Sequence, residues 1–136
     1  MQIENAVYPT SDSLTALAAL PHKGPIVMLN LLKFRDKAVY KDGRATDLSG
    51  LEAYMLYGKL MSAYVLARGG KLQFSAPAAA PVIGAVDEMW DVVALMEYPS
   101  AKAFIEIATA PEVAEFGVHR EAGLAGQILI PCLTHA

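Results

Sequence analysis

Two stretches stand out in the pattern of apolar and polar positions: Ile26 to Phe34, and Trp90 to Tyr98. The first is apolar at both alternating sets of positions apart from Asn30 and Lys33, the pattern of a central strand covered on both sides. The second reads as another central strand and runs straight into a helix start at Ser100. Ser49 and Glu52 form a capping-box pair, so the run behind the first strand predicts a helix from Gly50 to about Arg68, stopped by Gly69-Gly70. Ser100 caps a helix carrying Phe104, Ile105 and Ala108; Pro111 interrupts it, and a further turn covers Val113 to Phe116.

Lys71 to Ser75 alternates and predicts a strand with Leu72 and Phe74 on one side. Pro77 and Pro81 remove ladder donors, so the chain there is a strand edge, a bulge or a loop before Val82-Ile83 resumes. Gln127 to Leu133 is the last strand. Upstream, Thr10 to Ser13 supplies caps for a short helix before Pro21, and Lys41-Asp42-Gly43-Arg44 signals a tight turn.

The order strand, helix, strand, strand, helix, strand makes the fold class α+β: a ferredoxin-like βαββαβ sandwich with both helices on one face and right-handed crossovers. It is one domain over residues 1–136, with an N-terminal helical extension (1–22) and an ordered flap or small hairpin (36–48). Ile26, Met28, Leu32, Val92 and Ala94 read as the apolar second face of the sheet. Covering it with the same face of a second copy predicts a homodimer, a dimeric α/β barrel with a cavity between the two sheets.

Composition sharpens this picture in three ways. The chain is 54% hydrophobic and 18% charged, yet no apolar run reaches the roughly 20 residues of a membrane span. A net charge of -3 with no basic cluster excludes a phosphate backbone as partner, so neither nucleic acid nor membrane is expected. The single cysteine, Cys132, reads as a small buried hydrophobe, and the first residues lack the pattern of a signal peptide, so cytoplasmic residence is the expectation.

The ordered series Met28 to Arg35, Ser49 to Tyr54, Trp90 to Phe104 and His119 to Leu124 resembles the longer members of domain-of-unknown-function family 1330, of the dimeric α/β-barrel superfamily. The resemblance spans roughly Pro9 to Pro131. It implies a ferredoxin-like homodimer and no particular activity, since the superfamily includes cofactor-free monooxygenases, lactone isomerases and haem-handling enzymes.

Candidate chemistry is sparse. Asn30 sits mid-strand, where an unpaired amide costs about 1–3 kcal/mol; it either bonds to neighbouring backbone or aims into a cavity to orient a ligand. Tyr54, Tyr57, Met61 and Tyr64 share one helix stripe, with Arg68 close by, and read as core or as a pocket wall with hydroxyls to spare. Trp90 is a rim or core aromatic, and Asp91 a surface or cap acceptor. His119 is the general acid/base candidate, with Arg120 beside it to hold it neutral, and the alternative reading is an interface or capping contact. Arg35 or Arg120 would steady negative charge.

His22, His119 and His135 make no short-spaced metal motif, and no nucleotide loop or nucleophile elbow is present, so neither metal nor cofactor is expected. The expected function is that of a homodimer binding a small, largely apolar carbonyl or hydroxyl compound. As an enzyme it would be isomerase- or monooxygenase-like, with His119 moving the proton and Asn30, Arg35, Tyr54, Tyr57, Trp90 and Arg120 holding the ligand. The rivals are a non-catalytic sensor or carrier and a dimeric interaction module.

Overall fold

The computed structural model describes residues 1–134, and His135 lies outside the described residues. Helix α1 spans Ser11–Ala18, strand β1 Ile26–Phe34, helix α2 Gly50–Leu66, strand β2 Lys71–Pro77 and strand β3 Val92–Tyr98. Helices α3 (Ala101–Ala108) and α4 (Pro111–Gly123) follow, and strand β4 (Leu124–Leu133) closes the chain. The four strands form one antiparallel sheet in the order β2-β3-β1-β4, which puts the two most apolar runs at its centre. The architecture is the ferredoxin-like sandwich, with α1 added.

Local signals act as their chemistry dictates. The Thr10 hydroxyl accepts the Ser13 amide at 3.0 Å to start α1. The Ser49 hydroxyl accepts the Glu52 amide at 3.0 Å while the Glu52 carboxylate accepts the Ser49 amide at 2.9 Å, so two otherwise orphaned donors begin α2 satisfied. At the other end Gly69, at φ +87°, ends the helix in the left-handed region where a Cβ is strained. The 36–48 segment is an ordered flap without a ladder of its own. It is tied down by a bridge between Lys37 and Ser49 and by the Val39 amide donating to the Ala122 carbonyl at 3.0 Å, with Ala38 and Tyr40 buried beneath.

The sheet's faces are assigned by strand alternation and register. Ile26, Met28 and Leu32 are 0–2% exposed, and Ile26 and Met28 pack against the helices with Met61, Val65 and Tyr98. Their partners across the ladder, Tyr98, Met96 and Val92, share that face. Ile26, Met28, Leu32, Val92 and Ala94 are thus the covered face, and the uncovered one carries Val27, Leu29, Leu31, Val93, Leu95, Ile128 and Ile130. Both sets are apolar, so the strand's periodicity alone did not tell which one meets the helices.

Four further expectations change. A bulge between Leu72 and Phe74 adds one residue to β2, so Leu72 pairs with Met96 and Phe74 with Leu95, and the two side chains face opposite ways. Val82 and Ile83 do not resume a strand; they are 100% and 93% exposed in a loop. Helix α4 runs on to Gly123, well past Phe116, placing His119 and Arg120 inside a helix. Cys132 is exposed in the chain.

One crossing fixes the geometry around the site. A Cβ on Gly123 would stand 2.2 Å from the Gly50 carbonyl oxygen, and one on Gly50 would stand 2.0 Å from that of Arg35. The absence of side chains lets the start of α2, the end of α4 and the end of β1 meet at backbone contact distance. Arg120 on α4 and Tyr54 on α2 are thereby brought over the same part of the sheet.

Candidate functional site

A cavity of about 690 Å3 lies between the helix face of the sheet and the helical layer, inside a single chain. Its floor is Met28 and Asn30 of β1 and Gln127 of β4; one wall is Tyr54, Tyr57 and Met61 of α2. Tyr98, Phe104 and Val113 form the opposite side, and the N-terminal segment, through Val7, Tyr8, Leu14 and Leu17, covers it. This cavity lies within one chain, on the helix face of the sheet, and is distinct from the one expected between the sheets of two copies; α1 and the leading strap cover it.

The polar floor is one connected chain of hydrogen bonds. Asn30 Nδ2 donates to the carbonyls of Met28 at 3.2 Å and Ala94 at 3.3 Å, and its Oδ1 accepts Gln127 Nε2 at 2.7 Å. The Gln127 Oε1 in turn accepts Arg120 Nη2 at 2.7 Å. The same Nη2 donates to the Val7 carbonyl of the strap. Asn30 is therefore both a satisfied strand amide and part of the cavity surface. The sequence does carry a signal for Gln127: it is the sole amide side chain of an otherwise apolar strand, as Asn30 is of its own, and it lies diagonal to Asn30 on the same face.

Above this floor stand the tyrosines. Phe34, Tyr54 and Tyr57 run as a tilted aromatic series with centroids 5.2 and 5.4 Å apart, and Tyr98 meets Phe104 edge-on at 4.9 Å. Among the described residues the hydroxyls of Tyr54, Tyr57 and Tyr98 have no protein hydrogen-bond partner, yet they are not sealed from space, because each lines the cavity. Burial of the rings pushes all three phenols up, with the Tyr54 and Tyr57 hydroxyls adding to the effect on Tyr98, while the Arg120 cation pulls Tyr54 and Tyr57 partly back. At neutral pH the three are neutral O–H donors.

Arg120 is a half-buried guanidinium with no carboxylate within ion-pair distance among the described residues. The neighbouring carboxylate, Glu121, pairs with Lys41, and its carboxyl lies below the ordinary range first through that contact, with the nearby Tyr8 hydroxyl and the Arg120 cation adding to the effect. Tyr8 also lies under both cations, its centroid 5.8 Å from Lys41 Nζ and 5.5 Å from the Arg120 guanidinium.

Several expected site residues stand elsewhere. His119 does not line the cavity: its Nδ1 is 2.7 Å from the Tyr40 hydroxyl and its ring meets Tyr40 edge-on beneath the flap. Successive helical residues point about 100° apart, so Arg120 turns to the cavity while His119 turns away. Arg35 is exposed and donates through Nε to the Leu124 carbonyl at 3.1 Å, joining β1 to β4. Trp90 is half-buried just before β3 and off the cavity. Asp91 caps the end of β1, accepting the Phe34 amide at 2.8 Å and Lys33 Nζ at 3.3 Å. Tyr64 leaves the stripe to stack edge-on with Phe116 under the Arg68 guanidinium. No group of three metal-ligating side chains occurs among the described residues, and none of their helices is long and apolar enough to cross a membrane.

The chain is 35% identical to the methylated RPA0582 protein over 98% of both chains, with a TM-score of 0.86. A second structure, of the RPA0582 protein of Rhodopseudomonas palustris, described as of unknown function, gives 33% identity over 98% of this chain and 99% of that one, with a TM-score of 0.85. The chain belongs to the RPA0582 family. A DABB family protein with a ferredoxin-like fold from Mesorhizobium loti shares the fold, at 14% identity, 84% and 100% coverage and a TM-score of 0.57. No family model matches the chain, so the resemblance to domain-of-unknown-function family 1330 gains no support there, and no curated protein matches it.

Proposed function

We propose that this protein binds one small, largely apolar organic molecule bearing a carbonyl or hydroxyl oxygen, inside each chain, and that it does so as a homodimer of the dimeric α/β-barrel kind. The observation that carries the binding reading is the set of three tyrosine hydroxyls without protein partners in a cavity of about 690 Å3. That volume is in the range of small-molecule sites, and such sites combine apolar walls with a few convergent polar groups. Hydroxyls that face a largely apolar cavity and are not taken up by a protein acceptor are free to donate to a ligand oxygen. Asn30, Gln127, Tyr54 and Tyr57 are the orienting groups in this reading.

A binding protein is favoured over an enzyme because His119, the proton-transfer candidate, faces the flap. The homodimer rests on the apolar open face of the sheet, where Leu29, Leu31 and Leu95 stay partly exposed in the single chain. Thermal denaturation against octanol, octanamide and octanoate tests the binding reading. A concentration-dependent rise in Tm with at least one of them, lost in Tyr57→Phe together with Tyr98→Phe, supports it. Absence of any rise across the three at millimolar concentration retires it.

A further inference from the structure

We infer that the natural ligand of this cavity is a carboxylate, its anionic head seated between the Arg120 guanidinium and the hydroxyls of Tyr54, Tyr57 and Tyr98, with its apolar body along Met28, Met61 and Leu17. This rests on the binding reading above and names the ligand class that it leaves open.

Three observations converge on an anion. Arg120 is a charged group on an otherwise largely apolar wall and has no carboxylate partner among the described residues. Both of its hydrogen bonds leave through Nη2 toward neutral oxygens, those of Val7 and Gln127, so Nη1 and Nε have no partner among the described residues. A half-buried cation held this way is incompletely compensated, since neutral acceptors offset the charge less than a carboxylate would.

The second observation is the arrangement of donors. The three phenols are neutral and can donate, and two of them, Tyr54 and Tyr57, are near enough to Arg120 for its charge to act on their hydroxyls. A carboxylate accepts up to about four hydrogen bonds and suits a planar guanidinium, whereas a ketone or alcohol leaves most of these donors unused.

The third concerns the neighbouring charges. Glu121 lies close enough for the charge of Arg120 to act on its carboxyl, but its ion pair is with Lys41 at the cavity's rim. Glu4, also on the lining, is an exposed side chain of the leading segment. The strap is thus anchored to the cation by a backbone carbonyl and not by a side-chain anion, leaving the charge of Arg120 available to what enters beneath it.

Isothermal titration of the intact protein with isosteric probes tests the assignment: octanoate against octanamide and octanol, and phenylpropionate against its amide. The carboxylate of each set should bind about tenfold or more tightly than its neutral counterparts, the discrimination given by charge-assisted hydrogen bonds. Arg120→Gln should remove that preference without removing affinity for octanol, and Arg120→Lys should keep part of it. If Arg120→Gln does not fold, the comparison of probes on the unaltered protein decides alone. Neutral probes binding as well as the carboxylates would overturn the carboxylate while leaving a binding site in place. No binding by any probe would remove both.

Discussion

On the helix face of the sheet, Ile26, Met28 and Leu32 are sealed, the first two in one core with Met61 and Val65 of α2 and Ile107 of α3, whereas Val27, Leu29 and Leu31, each one residue away, remain half-exposed. Composition does not separate these faces; both are aliphatic. They differ in where polarity is admitted. The covered face carries Asn30 and Gln127 at its centre and encloses a cavity above them. The open face keeps its charges at the ends, where Lys33 pairs with Glu88 and Asp91 and Gln73 donates to Glu97. A buried amide is tolerated only where a continuous hydrogen-bond network receives it, and a network needs helices to supply its other members. An apolar face without such helices fits flat association with a like surface, as expected of the dimer proposed here.

The largest effect expected from breaking this contrast is on the covered face. Ile26→Ala should cost about 2–5 kcal/mol, because a fully buried aliphatic side chain leaves a void between strand and helix. Leu29→Asp should leave the fold intact and convert the dimer to a monomer, read by light scattering. A dimer that survives Leu29→Asp would mean that the open face is not the interface.

Gly123→Ala probes the crossing that brings α2 and α4 over the floor. With the Gly50 carbonyl 2.2 Å from the added carbon, the backbones must separate, at about 1–3 kcal/mol in urea denaturation.

Within the cavity, Asn30→Leu and Tyr57→Phe should behave oppositely in the free protein. The first leaves Gln127 Nε2 without its acceptor and should cost about 1–3 kcal/mol. The second removes a hydroxyl that bonds to nothing in the protein and should shift stability by less than about 0.5 kcal/mol. Equal losses for both would show that the tyrosine hydroxyl has an internal partner.

The two smallest effects are pH dependences. Because the folded-state phenols of Tyr54, Tyr57 and Tyr98 lie above the ordinary value of 10.0, the folded chain holds protons that the unfolded chain releases as pH rises past that value. Stability should therefore fall with rising pH above about 10. Phenylalanine at Tyr54 and Tyr98 should flatten that decline in a pH series of melts. Glu121 runs the other way: its folded pKa is depressed, first by Lys41, so its contribution is complete above the ordinary carboxylate value and lost as pH falls through the depressed one. Acid should loosen the contact between Lys41 of the flap and Glu121, detectable as faster proteolysis within residues 36–48, and Lys41→Met should show the same loosening already at neutral pH.

Much of this molecule is determined by its sequence alone. The capping residues Thr10, Ser49 and Ser100, the stop at Gly69 and the apolar runs at Ile26 and Val92 specify elements through contacts within a few residues, and their order specifies the ferredoxin-like sandwich. Tyr54 and Tyr57 were legible as one stripe and Asn30 as a lone strand amide for the same reason, since helical and strand periods are local. Which face of β1 meets the helices was not local, because Ile26 and Val27 are chemically alike and only α2 and α4, anchored across Gly50 and Gly123, choose between them. The partnership of Asn30, Gln127 and Arg120 joins positions 30, 127 and 120 through register and a helix extending beyond its expected end. The same extension turned His119 from the cavity toward Tyr40. Side-chain direction at such points follows from the helix's phase against the sheet, a quantity set by packing across the whole domain and carried by no short stretch of residues.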